Sequence, residues 1–127
     1  MAELTTGVSW IAVIGGFVAS FLLGWLWYGP LFGKQWAEGC GVELGDGKDM
    51  PAGAMITQAL GTFCLAWLWG VTAAAMALMT AILITVTVML FIISNGKYVK
   101  KSDKAITIEA SYILAMGVVM FIFQAIF

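Results

Sequence analysis

An uncharged run of 46 residues, from Pro51 to Gly96, most limits how this chain can fold. As one α-helix the run would extend about 69 Å at 1.5 Å per residue, whereas the hydrocarbon core of a bilayer is about 30 Å thick. The run is therefore predicted to form two membrane-spanning helices joined by a short turn. We place this turn at residues 70–72, because Gly70 can end a helix.

Two other segments fit a bilayer crossing. Val8 to Tyr28 form 21 uncharged positions, more than the apolar core of a signal peptide, and are expected to stay in the mature protein. A last span is predicted to begin at Ser102 or Asp103, either of which can cap a helix. The chain is 62% hydrophobic and 10% charged, so it is predicted to be an all-α membrane protein with one domain, 1–127. The four transmembrane helices are placed at about 7–28, 51–70, 73–95 and 103–127.

Proline and glycine suggest where these spans begin and end. Pro30 is expected to stop the first span, because it cannot continue the helical hydrogen bonding and favours an extended preceding residue. Pro51 suits the first turn of the second span, where its missing N–H has no partner to lose. The pair Asn95-Gly96 is expected to end the third span.

All six basic residues are lysines, and they lie in two segments of the chain. Lys34 and Lys48 lie between the first and second spans. The other four lie around the connection between the third and fourth spans: Lys97, Lys100, Lys101 and Lys104. Four spans place both segments on one face, and basic residues in short loops stay on the cytoplasmic side. Both termini and the 70–72 turn are therefore expected on the periplasmic side.

Aromatic residues are expected at both interfaces of the membrane. On the periplasmic side these are Trp10, Trp67 and Trp69, and on the cytoplasmic side Trp25, Trp27 and Tyr28.

The segment between the first two spans divides into two parts. Phe32, Trp36 and Cys40 lie four residues apart, which predicts a short helix in the membrane interface. The stretch that follows is Gly-rich and carries three acids: Glu43, Asp46 and Asp49. Carboxylates on a flexible loop suit Ca²⁺, but the spacing lacks the EF-hand order. A solvated turn is favoured, and no metal site is predicted.

Small residues recur at every fourth position of the first span: Ala12, Gly16, Ser20 and Gly24. Such a ridge lets two helix backbones approach closely in lipid, which predicts a packing face. The second span repeats the pattern with Ala54, Gln58, Thr62, Ala66 and Gly70. The third span carries hydroxyls one heptad apart: Thr80, Thr87 and Ser94. The first three spans are expected to interlock, and a polar path for a solute is the alternative.

Glu109 is the one ionisable side chain well inside a predicted span, and carboxylates within the membrane are functional by default. It lies near the cytoplasmic end, next to a loop that holds Lys100, Lys101 and Lys104, which favours an ion pair or simple solvation at the headgroups over a proton relay. Three lysines are the candidate partners: Lys34, Lys100 and Lys104. Tyr112 lies on the same helix face and is expected to extend this polar cluster. Two amides are expected to form hydrogen bonds between helices: Gln58 and Gln124.

Residues 24–36 read GWLWYGPLFGKQW. This segment resembles the signature of small, mostly bacterial, four-span membrane proteins known as domain of unknown function 1761. Asn95, Gly96, Lys97 and Tyr112 are similar to later features of that family, whereas the connection between the second and third spans is shorter here than in many relatives. The resemblance implies a four-span protein of the bacterial inner membrane and no established activity.

The same segment can be interpreted from its residues alone as the exit of the first span, with aromatic anchors at the interface. The alternative is a patch that binds lipid headgroups or a partner. Its residues are Trp25, Trp27, Tyr28, Lys34 and Trp36.

Composition argues against several classes of function. Histidine, the commonest general base and metal ligand, is absent, and the net charge of -1 offers no basic face for a nucleic acid. Cys40 and Cys64 are too few for a disulfide framework and are expected to be free thiols. Cys64, Glu109 and the threonines form no recognisable catalytic set. We therefore expect neither an enzyme nor a cofactor.

These observations favour a non-catalytic integral membrane protein. Its expected partners are the lipid bilayer and other membrane subunits or copies of itself. In this interpretation the protein is an accessory or assembly subunit of a larger complex, or a self-associating helix bundle. The alternative is a small oligomeric transporter or channel, which the size of four spans allows.

Overall fold

The computed structural model describes residues 2–41 and 52–127, and every regular element in these ranges is helical. The elements are α1 (Ala2–Thr5), α2 (Trp10–Leu26), a π-helical turn (Trp27–Leu31), α3 (Gly33–Cys40), α4 (Ala52–Ala74), α5 (Leu78–Tyr98) and α6 (Asp103–Ile126). The continuous segment of α2 and the π-helical turn, together with α4, α5 and α6, forms four helices long and apolar enough to cross a membrane. The predicted all-α, four-span fold is confirmed, and so is the short helix α3. Pro51 and the three loop acids lie outside the described residues.

The last span, α6, lies at the centre of the bundle. It packs against α2, α3, α4 and α5, and α2 also packs against α4. In the most apolar part of each span, 39% of α6 is buried but only 11% of α5. The buried core draws on all four spans: Val13, Ala66, Trp69, Ala81, Tyr112, Met116 and Met120.

Hydrogen bonds define the two ends of the bundle. At the terminal end, the Trp67 indole donates to the Leu4 carbonyl at 2.8 Å, and the Ser9 hydroxyl donates to the Phe127 carbonyl at 3.4 Å. At the opposite end, which we call the α3 end, the Ser102 N–H donates to the Gly39 carbonyl at 3.0 Å. Thus α3 and the connection between α5 and α6, which both carry lysines, share one end as predicted.

Two glycines predicted to end helices lie inside them. A Cβ on Gly70 would lie 2.6 Å from Cγ2 of Val13, and a Cβ on Gly96 would lie 2.6 Å from Cγ1 of Ile106. Both glycines therefore allow close packing of neighbouring helices. The predicted break at residues 70–72 is wrong, because α4 continues to Ala74. The third span likewise extends beyond Asn95-Gly96 to Tyr98.

The two helices end instead in Schellman turns, each centred on a residue with left-handed backbone. These residues are Met76, with φ 56°, and Lys100, with φ 62°. In each turn the following N–H reaches a carbonyl five residues back: Ala77 to Thr72 at 2.7 Å and Lys101 to Gly96 at 2.9 Å. The signal that ends both helices is thus carried by residues other than glycine.

Pro30 does not end the first span as predicted. The helix widens into the π-helical turn and continues to Leu31. The Phe32 N–H donates to the Trp27 carbonyl at 3.0 Å, the five-residue spacing of a π-helix. The wider turn therefore accommodates a residue that lacks an N–H. At the start of α6, the Ser102 hydroxyl accepts from the Ala105 N–H at 3.1 Å, which confirms Ser102 as the cap.

The ridge of small residues on α2 is covered within the chain, by α6. Gly16 faces Met120, whose Cγ would lie 3.5 Å from a Cβ at that position. At Gly24 a Cβ would lie 2.9 Å from Cζ of Tyr112. Ala12 and Ser20 are buried as well. The predicted packing face is therefore present, and its partner is the last span.

The hydroxyl stripe of the third span points away from the bundle, so this span does not interlock through it, whereas α2 and α4 pack together as expected. Thr80, Thr87 and Ser94 are all exposed. The buried positions of α5 are instead Ala81, Thr85 and Gly96. Because α5 packs mainly on α6, its small residues are buried on that side.

The prediction that Trp69 lies at the membrane interface is also wrong. It is 3% exposed and packs edge-on against Phe121, with ring centroids 6.2 Å apart. Among the described residues its indole N–H has no hydrogen-bond partner. Trp69 is therefore a core residue of the bundle.

Candidate functional site

Glu109 lies at the centre of a polar cluster near the α3 end. The Lys101 ammonium donates to both carboxylate oxygens, at 3.1 Å and 2.8 Å. The indole N–H of Trp36 donates to Oε2 at 2.9 Å. The side chains of Lys101 and Glu109 are 23% and 14% exposed. We call these three residues the Glu109 cluster.

Local structure brings the three side chains together. The Schellman turn at Lys100 reverses the chain, so that Lys101 is directed along the start of α6. Trp36 reaches the same point because α3 packs tightly on α6: a Cβ on Gly39 would lie 2.5 Å from the Cβ of Ala105. Charge-assisted hydrogen bonds of this kind stabilise a carboxylate that water does not fully solvate.

Aromatic rings surround the cluster. Tyr28 packs edge-on against Trp36 and Tyr112, with ring centroids 5.2 Å and 5.3 Å away. The Tyr112 hydroxyl donates to the Ser20 carbonyl at 2.8 Å. The Trp27 indole donates to the Ile108 carbonyl at 3.1 Å. These two bonds join α2 and the π-helical turn to α6.

A cavity of about 440 Å³ opens beside the cluster. It lies between α4 and α5, with α6 and the π-helical turn behind it. Six of its lining residues are polar or carry a hydroxyl: Tyr28, Gln58, Asn95, Lys101, Glu109 and Tyr112. The apolar lining residues are Val88, Phe91, Ile92 and Ile113. Its volume lies within the range of small-molecule pockets.

The structure divides the residues singled out from the sequence into two groups. One group is gathered at the Glu109 cluster or the cavity: Tyr28, Trp36, Gln58, Glu109 and Tyr112. Trp27 packs beside it against Tyr112, with ring centroids 6.2 Å apart. Trp25 and Lys34 belong to the other group, because both side chains are exposed and neither lines the cavity. The sequence-based patch is therefore split by the fold.

The lysine that pairs with Glu109 is Lys101, and the three predicted partners are wrong. Lys34, Lys100 and Lys104 are exposed. Lys101 precedes α6, so helical spacing from Glu109 could not identify it. The lining residues from α5 were also missed, because an apolar run gives no sign of which side faces a cavity. The Gln58 amide donates to Thr62 of the same helix at 3.5 Å, and its side chain also interacts with the Tyr112 hydroxyl of α6, a contact between helices as expected.

Cys40 is a free thiol at the end of α3, as predicted, and Cys64 is a free, exposed thiol on α4. Burial raises the pKa of the Cys40 thiol, the Lys101 ammonium lowers it, and the Glu109 carboxylate raises it. The thiol therefore responds to both charges of the cluster. Among the side chains that the structure describes, no three from His, Cys, Asp or Glu lie close enough to share a metal ion.

Comparisons with curated proteins and with solved structures gave no match. A family model matches residues 11–124, nearly the whole chain. The matched region contains the Glu109 cluster, the cavity and the segment between residues 24 and 36. The chain therefore belongs to the family described as "Protein of unknown function (DUF1761)".

Proposed function

We propose that this protein is a non-catalytic integral membrane protein that acts through contacts with other membrane proteins. In this role it is an accessory or assembly subunit of a larger complex, or a self-associating bundle. The supporting observation is the outward side of α5, a span of which only 11% of the most apolar part is buried. This side carries Thr80, Thr87 and Ser94, and we call it the α5 outer face.

Its residue pattern suits a second helix. Small hydroxyl residues let helix backbones approach in lipid, and a seven-residue repeat keeps one seam facing a partner. The Thr87 hydroxyl already donates to the Leu83 carbonyl at 2.8 Å, so the face can pack without an unpaired donor at this position. The ridge on α2 is not available for association, because α6 covers it.

Crosslinking in native membranes, followed by mass measurement, tests this function. The wild-type chain is expected in a species heavier than its own 13.6 kDa. Thr87→Trp should remove that species, whereas Val18→Trp, on the outward side of α2, should leave it intact. A wild-type protein that never crosslinks and runs as a monomer in mild detergent would contradict the proposal, as would equal effects of the two variants.

A small oligomeric transporter or channel is the second candidate. It is favoured by the cavity that reaches Glu109, since carboxylates within spans often mark solute or proton paths. Purified protein in vesicles should then carry a proton or cation flux that Glu109→Gln abolishes. Absence of flux in the wild-type protein would eliminate this candidate.

We further propose a bacterial inner membrane, with the α3 end in the cytoplasm and both termini in the periplasm. The support is the five described lysines, which lie at or near the α3 end: Lys34, Lys97, Lys100, Lys101 and Lys104. With Cys40 and Cys64 replaced by alanine, a single cysteine after Glu3 should react with impermeant maleimide in intact cells. A single cysteine beside Lys100 should be protected. The opposite labelling pattern would reverse the orientation.

A further inference from the structure

The cavity beside the Glu109 cluster changes in polarity along the membrane normal. On α5, Asn95 lies three residues from the end of the helix and Val88 ten residues from it, a difference in depth of about 10 Å. On α6, Ile113 lies about 6 Å deeper than Glu109. Because α5 and α6 run in opposite directions, both helices place their polar residues near the α3 end and their apolar residues deeper. A lipid-like molecule within one leaflet has the same polarity gradient.

The charges of the cavity are already balanced. Lys101 contacts both oxygens of Glu109, so the lining carries one positive and one negative group in direct contact. An anionic head group would have to compete with Glu109 for the ammonium. A cationic one would have to compete with Lys101 for the carboxylate. The site therefore favours a head group without net charge.

Hydrogen-bonding capacity remains for such a head group. The ammonium of Lys101 has three N–H donors, and the carboxylate oxygens take two of them. The Asn95 carboxamide and the Tyr28 hydroxyl also line the cavity. Within the described residues neither side chain forms a hydrogen bond. These groups suit a hydroxyl, carbonyl or ester, each of which accepts hydrogen bonds without carrying charge.

We propose that this cavity binds a single-chain amphipathic molecule from the adjacent leaflet, with its uncharged, hydrogen-bonding head beside Asn95 and Lys101. The chain of the molecule lies between Val88, Ile92 and Ile113. This site is separate from the α5 outer face, and it does not depend on the association proposed above.

Photolabelling in phosphatidylcholine vesicles tests the site. Three probes share one diazirine-bearing acyl or alkyl chain and differ in head group: a monoacylglycerol, a fatty acid and an alkylamine. The monoacylglycerol is expected to label α5 and α6 around residues 88–95 and 113, about tenfold more than either charged probe, a difference of about 1.4 kcal/mol. Glycerol monobutyrate, which is water-soluble, should not compete. Its competition would show that the ligand comes from solution and would overturn the assignment to the leaflet.

A matched pair of variants shows whether labelling depends on the cavity. Val88→Trp should fill the space and remove labelling, whereas Leu83→Trp, on the outward side of the same helix, should leave it unchanged. Val88 faces the cavity and Leu83 is exposed, so a tryptophan at either position should not disturb the packed core. A folded protein is therefore expected from each variant. Equal labelling of the two variants would overturn the proposal.

Charge variants test the balance of the ion pair directly. Glu109→Gln leaves the ammonium without its carboxylate, so preference should shift to the fatty acid. Lys101→Met leaves the carboxylate without its ammonium, so preference should shift to the alkylamine. An unchanged preference in folded variants would contradict the role of the pair. If either variant does not fold, the comparison of Val88→Trp with Leu83→Trp decides the proposal alone.

Discussion

Glu109 carries a carboxylate about 9 Å into α6, at a depth where water is replaced by protein and lipid. Three hydrogen bonds from Lys101 and Trp36 take the place of that water. Removing one member of a buried pair leaves the other charge without its partner, which costs more than the pair itself contributes. The protein is therefore expected to lose more stability when only one of Glu109 and Lys101 is replaced than when both are.

Glu109→Gln and Lys101→Met should each lower the free energy of unfolding by about 1–3 kcal/mol, the range for leaving a buried polar group without its hydrogen-bond partner. The double variant should lose less than the sum, because the second change removes an already unpaired group. Denaturant titration in mild detergent measures all three proteins. Lys97→Met, at an exposed position of α5, is the control and should have little effect. Additive losses would show that the two side chains are not coupled.

The Cys40 thiol should report on the same charges. In a Cys64→Ala background, Glu109→Gln is expected to lower the pKa of Cys40, because it removes a nearby negative charge. Lys101→Met should raise it. Since the thiolate is the reacting form, maleimide labelling should be faster in the first variant and slower in the second when followed between pH 7 and 9. Lys34→Met is the control, and an equal shift there would remove the cluster as the cause.

The sequence identified Glu109, Trp36 and Tyr112 as notable because each is polar or aromatic near a predicted span end. It could not identify Lys101 as the partner, since four lysines lie five to twelve residues before Glu109. The choice among them depends on the left-handed residue Lys100, which sets the direction of the chain. A residue type alone gives no information on that direction.

At the scale of the element, the ends of α4 and α5 show how a glycine signal can mislead. Gly70 and Gly96 were expected to end helices, yet both lie where a side chain would collide with a neighbouring helix. The real ends use Met76 and Lys100 at left-handed positions that favour glycine. The number of spans could be predicted from the lengths of the uncharged runs alone. The boundaries of the spans depend instead on contacts between helices. Those contacts are not visible in a single sequence.

Met76→Gly and Lys100→Gly should each stabilise the protein by up to about 1 kcal/mol. A side chain in the left-handed region carries a steric cost that glycine does not, and part of this gain is offset by the entropy of glycine in the unfolded chain. The thermal midpoint in detergent should rise for both. Val99→Gly serves as control, because Val99 has φ −89° and should only lose stability. A lower midpoint for the first two variants would contradict the assigned backbone.

At the scale of the whole molecule, the ridge on α2 illustrates what a packing motif does and does not specify. Ala12, Gly16, Ser20 and Gly24 were recognisable as a close-approach face, and they form one. Spacing within one helix cannot identify the helix that covers it. Here that helix is α6, from the same chain, so the ridge stabilises the fold and leaves association to other surfaces.

Gly24→Leu should therefore destabilise the monomer, by about 1–3 kcal/mol for overpacking against Tyr112. The loss should be the same at every protein concentration, because both surfaces belong to one chain. Gly61→Leu is the matched control, since a Cβ there would meet nothing within 4 Å. Unfolding curves at several dilutions in detergent give the comparison. A loss that appears only at high concentration would show that the ridge joins separate chains.

The central position of α6 has a consequence for biogenesis. Of the described helices, α6 is the last to leave the ribosome, yet α2, α3, α4 and α5 all pack on it. Before it is inserted, α2 and α4 can pair, but α3 and most of α5 lack their main contact surface. The earlier spans of the nascent protein are therefore incompletely packed in the membrane. Their tertiary contacts can be completed only after residues 103–126 have been translated. Until α6 is inserted, the earlier helices therefore expose the surfaces that it later covers.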